Sequence, residues 1–274
     1  MKSIKAKKSL GQNFLIDENI LHRIADFFDI NWKNVLEVWP GYWALTEYLL
    51  EKKPKLLHLV ELDKDMVHIL EWRVEKKELK VEWIDFQIFH QDVLKFKPSF
   101  GNYFVIANIP YYITSPILTH FLYALSNSPQ KMLIMMQREV GERILEGKLE
   151  NEKWKSKRAK KSVLSLMLAK KCRVEKVVDV PRTAFHPVPK VDSIVLAFEK
   201  HHLFQETSDE LFLDFIKICF SQPRKKLLNN LISGSYEKEQ VLSVLKKLWI
   251  DEGTRGEELS VEVVIDLMEF INQV

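Results

Sequence analysis

The first half of the chain alternates short apolar runs with segments of helical spacing, and this alternation restricts the fold more than any other feature. Apolar runs typical of strands occupy residues 34–38, 56–62, 81–90 and 103–107, and amphipathic segments occupy residues 17–28, 44–51 and 66–76. Parallel strands need a crossover connection between them, usually a helix. The order therefore predicts an α/β protein with a Rossmann-like, doubly wound sheet and helices on both faces.

The pattern changes along the second half. We expect helices over 116–124 and 138–149, late elements of the same sheet layer over 162–168 and 172–180, and a last strand over 193–198. From about residue 201 the spacing is helical throughout, with helices predicted over 209–220, 225–231, 238–248 and 261–271. The chain is therefore expected to form an α/β domain over 1–200 and a small all-helical domain over 201–274.

Composition excludes several classes of protein. With 46% hydrophobic and 29% charged residues, the chain is typical of a folded globular protein. No apolar run is long enough to span a membrane and no apolar segment follows the basic N-terminus, so we expect a cytoplasmic protein without a membrane partner. The two cysteines, Cys172 and Cys219, lack metal-ligand spacing and are expected to be buried thiols, and no bound metal is expected.

The formal net charge is only +3, but the basic residues are clustered. One cluster lies within the first eight residues, a second spans 153–161 and a third spans 224–226. A single cluster is usually just a solvated surface. Three separate clusters in a nearly neutral chain favour a polyanionic partner, because each phosphate contact releases counterions.

Polar residues follow each of the first four predicted strands, where an open parallel sheet binds its ligands. They are Glu37 with Pro40-Gly41, Glu61, Asp92 and Asn108-Ile109-Pro110-Tyr111. An acid after the second strand commonly binds ribose hydroxyls, although one such acid is as often a helix N-cap. Four polar positions in succession indicate a ligand site.

The segment from Asn108 to Tyr111 carries the most specific chemistry. The side-chain carbonyl of Asn108, a main-chain carbonyl oriented by Pro110 and the aromatic face of Tyr111 suit an exocyclic amino group on a flat base. Such a group could be held while its nitrogen attacks an electrophile. Taken alone, the segment is also compatible with a turn that ends a strand, with Tyr111 in the core.

These residues belong to a set of motifs that spans the chain from about residue 5 to its end. The motifs are Ser9-Leu10-Gly11-Gln12-Asn13-Phe14-Leu15, Glu37-Val38-x-Pro40-Gly41-x-x-Ala44-Leu45-Thr46, Val60-Glu61-Leu62-Asp63, Gln91-Asp92, Asn108-Ile109-Pro110-Tyr111-Tyr112-Ile113, Ala184-Phe185-His186-Pro187-x-Pro189-Lys190-Val191-Asp192-Ser193, Phe220-Ser221-Gln222-x-Arg224-Lys225 and Glu257-Glu258-Leu259-Ser260. Together they resemble the ribosomal RNA adenine dimethylases of the small subunit. The resemblance implies a class I methyltransferase fold, S-adenosylmethionine as methyl donor, and two methylations of the N6 amino group on each of two adjacent adenines in a hairpin of small-subunit rRNA. The implied partner is the immature small subunit, and the protein is expected to be a monomer.

The resemblance also assigns roles to residues. In the cofactor site, Asn13 and Leu15 would border the cofactor, Glu61 would bind its ribose and Asp92 its adenine amino group. Four further residues, Glu37, Trp39, Gly41 and Asn108, complete the implied cofactor site. The implied catalytic residues are Asn108, Ile109, Pro110, Tyr111 and Phe185, with Tyr111 and Phe185 on either side of the flipped base. Phe185 beside its Pro-x-Pro turn would otherwise be read as packing. The implied rRNA contacts are Lys155, Lys157, Arg158, Lys160, Lys161, Arg224, Lys225 and Lys226.

Four tryptophans depart from the family pattern. Trp32 and Trp39 stand where the family has glycine, and Trp249 stands where the family usually has glycine. Trp43 stands where the family has glycine or alanine. The chain has 8 glycines against 7 tryptophans, whereas an average chain of this length would have roughly 19 glycines. An indole at Trp39 would fill space that the cofactor needs. Two explanations are open: a catalytically impaired protein that serves as an rRNA-binding assembly factor, or a gene in which UGA encodes glycine but was read as tryptophan.

A large-subunit target is a further alternative. Tyr112 stands where the small-subunit family usually has asparagine, and related large-subunit adenine methylases of the macrolide-resistance type often have isoleucine at the position of Ile109. Residues 190–193 and 257–260 favour the small subunit.

Overall fold

The computed structural model describes residue 7 and residues 11–146 and 161–272, and the chain divides into two compact units. The sheet unit comprises Met1–Gly141 and Val174–Lys200, and the helical unit comprises Glu142–Arg173 and His201–Val274. The second unit therefore includes a segment that we had expected in the first domain.

Nine strands are present in the described part of the chain, and seven of them form one sheet. The strands are β1 (Phe14–Leu15), β2 (Asn34–Val38), β3 (Leu56–Glu61), β4 (Asp85–His90), β5 (Tyr103–Asn108), β6 (Lys131–Gln137), β7 (Cys172–Val180), β8 (Phe185–His186) and β9 (Ser193–Lys200). The sheet has the order β4-β3-β2-β5-β6-β9-β7, and β1 pairs separately with β8. This confirms the predicted Rossmann-like sheet.

The sheet is parallel from β4 to β6, and β9 runs antiparallel to β6. After β2 the chain builds towards one edge through β3 and β4, and then returns to add β5 on the other side of β2. The strand order thus reverses between β2 and β5. Open α/β sheets bind ligands at such a reversal, beyond the carboxyl ends of the strands.

Five α-helices lie between these strands or follow them, up to residue 146. They are α1 (Glu18–Phe27), α2 (Ala44–Glu51), α3 (Lys64–Glu75), α4 (Thr114–Thr119) and α5 (Arg138–Glu146). Apolar residues recur on one face of α1, and its buried positions are Ile20, Leu21, Ile24 and Ala25. The side chains of β2 from Val35 to Val38 and all of those of β3 are buried. Because both faces of the central strands are covered, their sequences are continuous apolar runs rather than alternating ones.

The helical unit contains α6 (Val163–Lys171), α7 (Asp209–Cys219), α8 (Leu227–Ser233), α9 (Lys238–Lys247) and α10 (Val261–Asn272). Its helix α6 packs against α7 and α10. The buried ammonium of Lys170 donates to the carbonyl of Thr207 at 2.9 Å and pairs with Asp209. Burial of a lysine requires such partners, and these partners lie in the helical unit.

The short strands β1 and β8 were not predicted, and β4 begins at Asp85 rather than at residue 81. Two longer elements also differ from the sequence analysis. We expected residues 162–168 to belong to the sheet layer, but Val163–Lys171 is a helix that begins at a capping box formed by Ser162 and Ser165. Strand β6, Lys131–Gln137, was not predicted. Among the described residues, no helix has the length and apolar character needed to cross a membrane.

Candidate active site

A cleft that is open to solvent lies at the reversal of the strand order, within the sheet unit. Its lining includes Asn13, Leu15, Glu37, Trp39, Gly41, Glu61, Asn108, Ile109, Pro110, Tyr111 and Phe185. These are all of the predicted cofactor and catalytic residues except Asp92. Ligand sites are commonly clefts lined by apolar side chains with a few polar groups among them, and the lining of this cleft has that composition.

Glu61 ends β3 and faces main-chain amides. Its carboxylate accepts from the amide of Asp63 at 2.8 Å and from the amide of Gly41 at 3.4 Å. Burial raises the pKa of Glu61 to about 7, and its hydrogen bonds from main-chain amides oppose that rise. A buried carboxylate at the end of the second sheet strand is well placed to accept from ribose hydroxyls.

Glu37 lies next to this position, on β2. Its carboxylate accepts from the hydroxyl of Thr46 at 2.7 Å, and this bond joins the end of β2 to the first turn of α2. Burial raises the pKa of Glu37 to about 8, the bond from Thr46 lowers it, and the nearby Glu61 raises it further. At neutral pH the side chain is therefore largely protonated and holds the β2–α2 turn in place.

Contacts from the N-terminal segment close one edge of the cleft. Lys7 forms an ion pair with Asp63, and the side-chain amide of Gln12 donates to the same carboxylate at 2.6 Å. Further along, Leu15 of β1 is the register partner of Phe185 of β8. The small β1–β8 sheet thus brings a predicted cofactor residue beside a predicted base-stacking residue. Phe185 is buried, and it lines the cleft.

Across the cleft, β5 ends at Asn108 and the chain turns through Ile109 and Pro110 into a short 3₁₀ turn at Tyr111. The hydroxyl of Tyr111 is hydrogen bonded to the buried hydroxyl of Ser193 at 2.8 Å. Burial is the main reason that the pKa of Tyr111 is raised. The phenol therefore stays protonated, and its ring is fixed at the cleft wall.

Two residues of the predicted motifs lie elsewhere. Asp92 begins the 3₁₀ turn Val93–Lys95, and its carboxylate accepts from the amide of Leu94 at 3.0 Å. It is not among the residues that line the cleft. Tyr112 is 66% exposed, in contrast to its neighbour Tyr111.

The β2–α2 turn has unusual backbone geometry. Three of its residues have positive φ: 55° at Trp39, 54° at Gly41 and 61° at Trp43. A side chain at Gly41 would also be crowded, because its Cβ would lie 3.0 Å from the ring of Phe14. Glycine adopts this backbone region freely, whereas bulky residues are outliers there.

The candidate rRNA-binding residues are divided between the described and undescribed parts of the chain. Lys155, Lys157, Arg158 and Lys160 lie outside the described residues. The amide of Lys161 donates to the carbonyl of Glu257 at 2.9 Å. Arg224, Lys225 and Lys226 are exposed and directly precede α8 of the helical unit.

Sequence analysis gave no role to several residues that shape the cleft. Phe14 and Tyr42 line it, and their rings meet edge to face at 4.2 Å. Thr46 and Ser193 position Glu37 and Tyr111. Thr46 and Ser193 lie within motifs that the sequence showed, but no local pattern indicates which long-range partner a buried hydroxyl will meet. In the described ranges, no group of three or more histidine, cysteine or acidic side chains could hold a metal ion.

The chain is similar to known proteins over nearly its whole length. The family model described as ribosomal RNA adenine dimethylase matches residues 3–273. The chain is 40% identical over 258 residues to the ribosomal RNA small subunit methyltransferase A of Mycoplasma mobile, with 94% of each chain covered. It is 35% identical over 270 residues to the protein of the same name from Campylobacter jejuni, with 97% of this chain and 95% of that protein covered.

Solved structures show similar architecture. A dimethyladenosine transferase from Plasmodium falciparum matches with a TM-score of 0.78 and 25% identity, over 95% of this chain and 98% of that chain. The 23S rRNA methyltransferase ErmE matches with a TM-score of 0.71 and 22% identity, over 95% of this chain and 100% of that chain. At that identity the second likeness concerns the fold alone.

Proposed function

The chain belongs to the ribosomal RNA adenine dimethylase family, and from this membership we propose that it dimethylates the N6 amino groups of two adjacent adenines in a hairpin of small-subunit rRNA. The methyl donor is S-adenosylmethionine. The observation that carries the proposal is the placement of the Asn108 to Tyr111 segment across one cleft from Glu61, at the reversal of the strand order. Relatives named for the small subunit, 40% and 35% identical, favour that target over the large subunit.

One set of cleft residues would bind the cofactor, and another set would bind the target adenine. When bound, S-adenosylmethionine supplies an electrophilic methyl group on a sulfonium, which is a good leaving group. Glu61 would hold the ribose hydroxyls, and Asn13 and Leu15 would border the cofactor. These positions fit the cofactor, with the exception of the indole of Trp39, which lines the same cleft. Asp92 would accept from the adenine amino group with its second carboxylate oxygen, since the first accepts from the amide of Leu94.

The target amine would be held by acceptors. The side-chain carbonyl of Asn108 and the main-chain carbonyl of Ile109 would accept from the two N–H bonds of the amino group, with Pro110 fixing the main-chain direction. Tyr111 and Phe185 would stack on the two faces of the flipped adenine. These contacts desolvate and aim the nitrogen, so no strong general base is needed.

The exposed cations of the helical unit would bind the rRNA backbone. Arg224, Lys225 and Lys226 are the described candidates, since structured RNA is bound largely through phosphates and shape. The same proposal assigns an rRNA-binding role to the helical unit and methyl transfer to the sheet unit. We further propose that the protein acts as a cytoplasmic monomer on the immature small subunit.

Primer extension on rRNA tests the function directly, because dimethylated adenines stop reverse transcriptase. In a strain that lacks the gene, two adjacent stops in small-subunit rRNA should disappear, and they should return with the gene but not with an Asn108→Ala copy. Unaltered small-subunit stops would refute the proposed target. Stops lost from large-subunit rRNA instead would identify the alternative target.

A further inference from the structure

The conformation of the tryptophans is the most unusual feature of the backbone. Positive φ occurs at Trp32 (56°), Trp39 (55°), Trp43 (61°) and Trp249 (56°). Positive φ is disfavoured for residues with a side chain, and a bulky residue there is a genuine outlier. These are the same four positions at which the sequence departs from the family pattern, which has glycine at 32 and 39, usually glycine at 249, and glycine or alanine at 43.

Chance does not account for this distribution. The described part of the chain contains six of the seven tryptophans, and four of those six have positive φ. Since only a few per cent of non-glycine residues have positive φ, the probability of four in six by chance is on the order of 10⁻⁴. The other two, Trp72 and Trp83, do not have positive φ.

The surroundings of Trp249 show why glycine suits the position. The amide of Trp249 donates to the carbonyl of Lys246 at 3.2 Å, and the amide of Ile250 donates to the carbonyl of Leu245 at 2.9 Å. These two bonds form the Schellman motif that ends α9, with Trp249 at the residue that is usually glycine. The side chain of Trp249 is 96% exposed, so burial of the indole does not offset the unfavourable backbone.

The surroundings of the other three positions differ from one another. Trp32 is 75% exposed. Trp39 lines the proposed cofactor cleft. Trp43 stacks under the guanidinium of Arg73, 3.6 Å from its ring centroid, and begins α2 without a side-chain cap. The four positions share only a backbone conformation that favours glycine.

We propose that the protein made in its own organism has glycine at positions 32, 39, 43 and 249, encoded by UGA, and that tryptophan stands at these positions in the sequence because this codon was read as tryptophan. One codon with two meanings converts glycine to tryptophan at every site where it occurs and changes nothing else. Independent mutations in a decaying gene would not share one product and one backbone conformation. The substitution raises the glycine count from 8 to 12 and lowers the tryptophan count from 7 to 3.

The inference also distinguishes among the tryptophans. Trp83 donates its indole N–H to the carbonyl of Lys80 at 3.0 Å, and Trp72 lies within α3. Both are therefore expected to be genuine tryptophans encoded by UGG. They are matched internal controls, because any general error in the sequence would affect them too.

The test is to read the gene and the protein together. We expect UGA at codons 32, 39, 43 and 249, UGG at codons 72 and 83, and tryptic peptides of the native protein with the mass of glycine at the four positions. UGG at the four codons, or UGA with tryptophan in the peptides, would overturn the inference. The peptide masses do not depend on methyl transfer, so this result is separate from the fate of the proposed function.

A second measurement uses recombinant protein. The Trp249→Gly chain should melt several degrees higher than the chain with tryptophan at this position, because the strain at the Schellman position is relieved while almost no buried contact is lost. Trp72→Gly should melt lower, since it places glycine within a helix. Equal destabilisation by both substitutions would contradict the inference.

Discussion

The two sides of the cleft are built on different principles. On the β5 side, hydrogen bonds between side chains fix the position of the functional groups, as the bond between the hydroxyls of Tyr111 and Ser193 at 2.8 Å shows. On the β2 side, the backbone itself shapes the site, with positive φ at Trp39, Gly41 and Trp43. A residue other than glycine in the left-handed region costs about 1–2 kcal/mol. A change on the β5 side removes one group, whereas a change on the β2 side strains the chain and fills the space beside it.

This difference explains how the chain can retain a complete set of chemical side chains and still be impaired. Glu61, Asn108 and Tyr111 all line the cleft. The four tryptophans that depart from the family pattern stand at positions with a backbone conformation that favours glycine. The β2 side should therefore limit cofactor binding, and the β5 side should limit methyl transfer.

Replacement of Trp39 by glycine should have the largest effect. We expect the affinity for S-adenosylhomocysteine, measured by titration calorimetry, to rise by about two orders of magnitude in Trp39→Gly, because Trp39 lines the cleft and glycine has no side chain to restrict it. Trp32→Gly is the matched control, since Trp32 has the same positive φ but does not line the cleft. It should leave the affinity unchanged. An equal gain in both variants would show general stabilisation instead, and no gain in Trp39→Gly would remove the contrast between the two sides.

The substitution Asn108→Ala, made in the Trp39→Gly chain, should distinguish the function of the β5 side from that of the β2 side. Loss of one positioned acceptor typically costs about 10²-fold in turnover, so methyl incorporation into immature small subunits should fall by that factor. The dissociation constant for S-adenosylhomocysteine should change by less than tenfold.

Glu61→Gln should show the reverse pattern, with affinity weakened about tenfold and turnover at saturating cofactor nearly retained. The same pattern in both variants would contradict the division.

The sequence predicted the part of the site that depends on local pattern. Strand β2 (Asn34–Val38) and helix α2 (Ala44–Glu51) have the predicted bounds, because β2 is a short apolar run and the apolar residues of α2 recur with helical spacing. Strand β6 was missed, since its Met-rich run, KMLIMMQ, does not distinguish a buried strand from a buried helix. The helix Val163–Lys171 was assigned to the sheet layer for the same reason, although the capping pair Ser162 and Ser165 was present in the sequence.

Long-range contacts were beyond sequence reasoning. The bond between Tyr111 and Ser193 joins residues that are 82 positions apart. Asp92 follows a strand of the sheet, as expected, yet its carboxylate caps the next turn and does not line the cleft. Position along a strand predicts which end of the sheet a residue reaches, but the direction of its side chain depends on contacts that form only in the fold.

The substitution Glu37→Gln tests whether the buried carboxyl of Glu37 on the β2 side is protonated. The pKa of Glu37 is about 8 in the folded protein against 4.5 as its ordinary value. Between these values the folded state keeps a proton that the unfolded state releases, so the stability contributed by Glu37 falls as pH rises. Because one pH unit corresponds to about 1.4 kcal/mol, the free energy of unfolding should fall by about 2 kcal/mol more in the original chain than in Glu37→Gln between pH 5 and pH 6.5. Urea unfolding of both chains at the two pH values measures this change. If the two chains differ in free energy of unfolding by the same amount at both pH values, Glu37 is already ionised at pH 5.

Alanine at Ser193 should have the smallest effect and tests the β5 side. Removal of its hydroxyl leaves the ring of Tyr111 in place but without its hydrogen bond, which is worth about 1 kcal/mol. In the Trp39→Gly chain we therefore expect kcat/KM for methyl transfer to fall about fivefold in Ser193→Ala and by a similar factor in Tyr111→Phe. The double variant should be no worse than either single one, because both remove the same bond. Additive losses would mean that Ser193 acts through another contact, and Tyr111 would then owe its position on the cleft wall to packing alone.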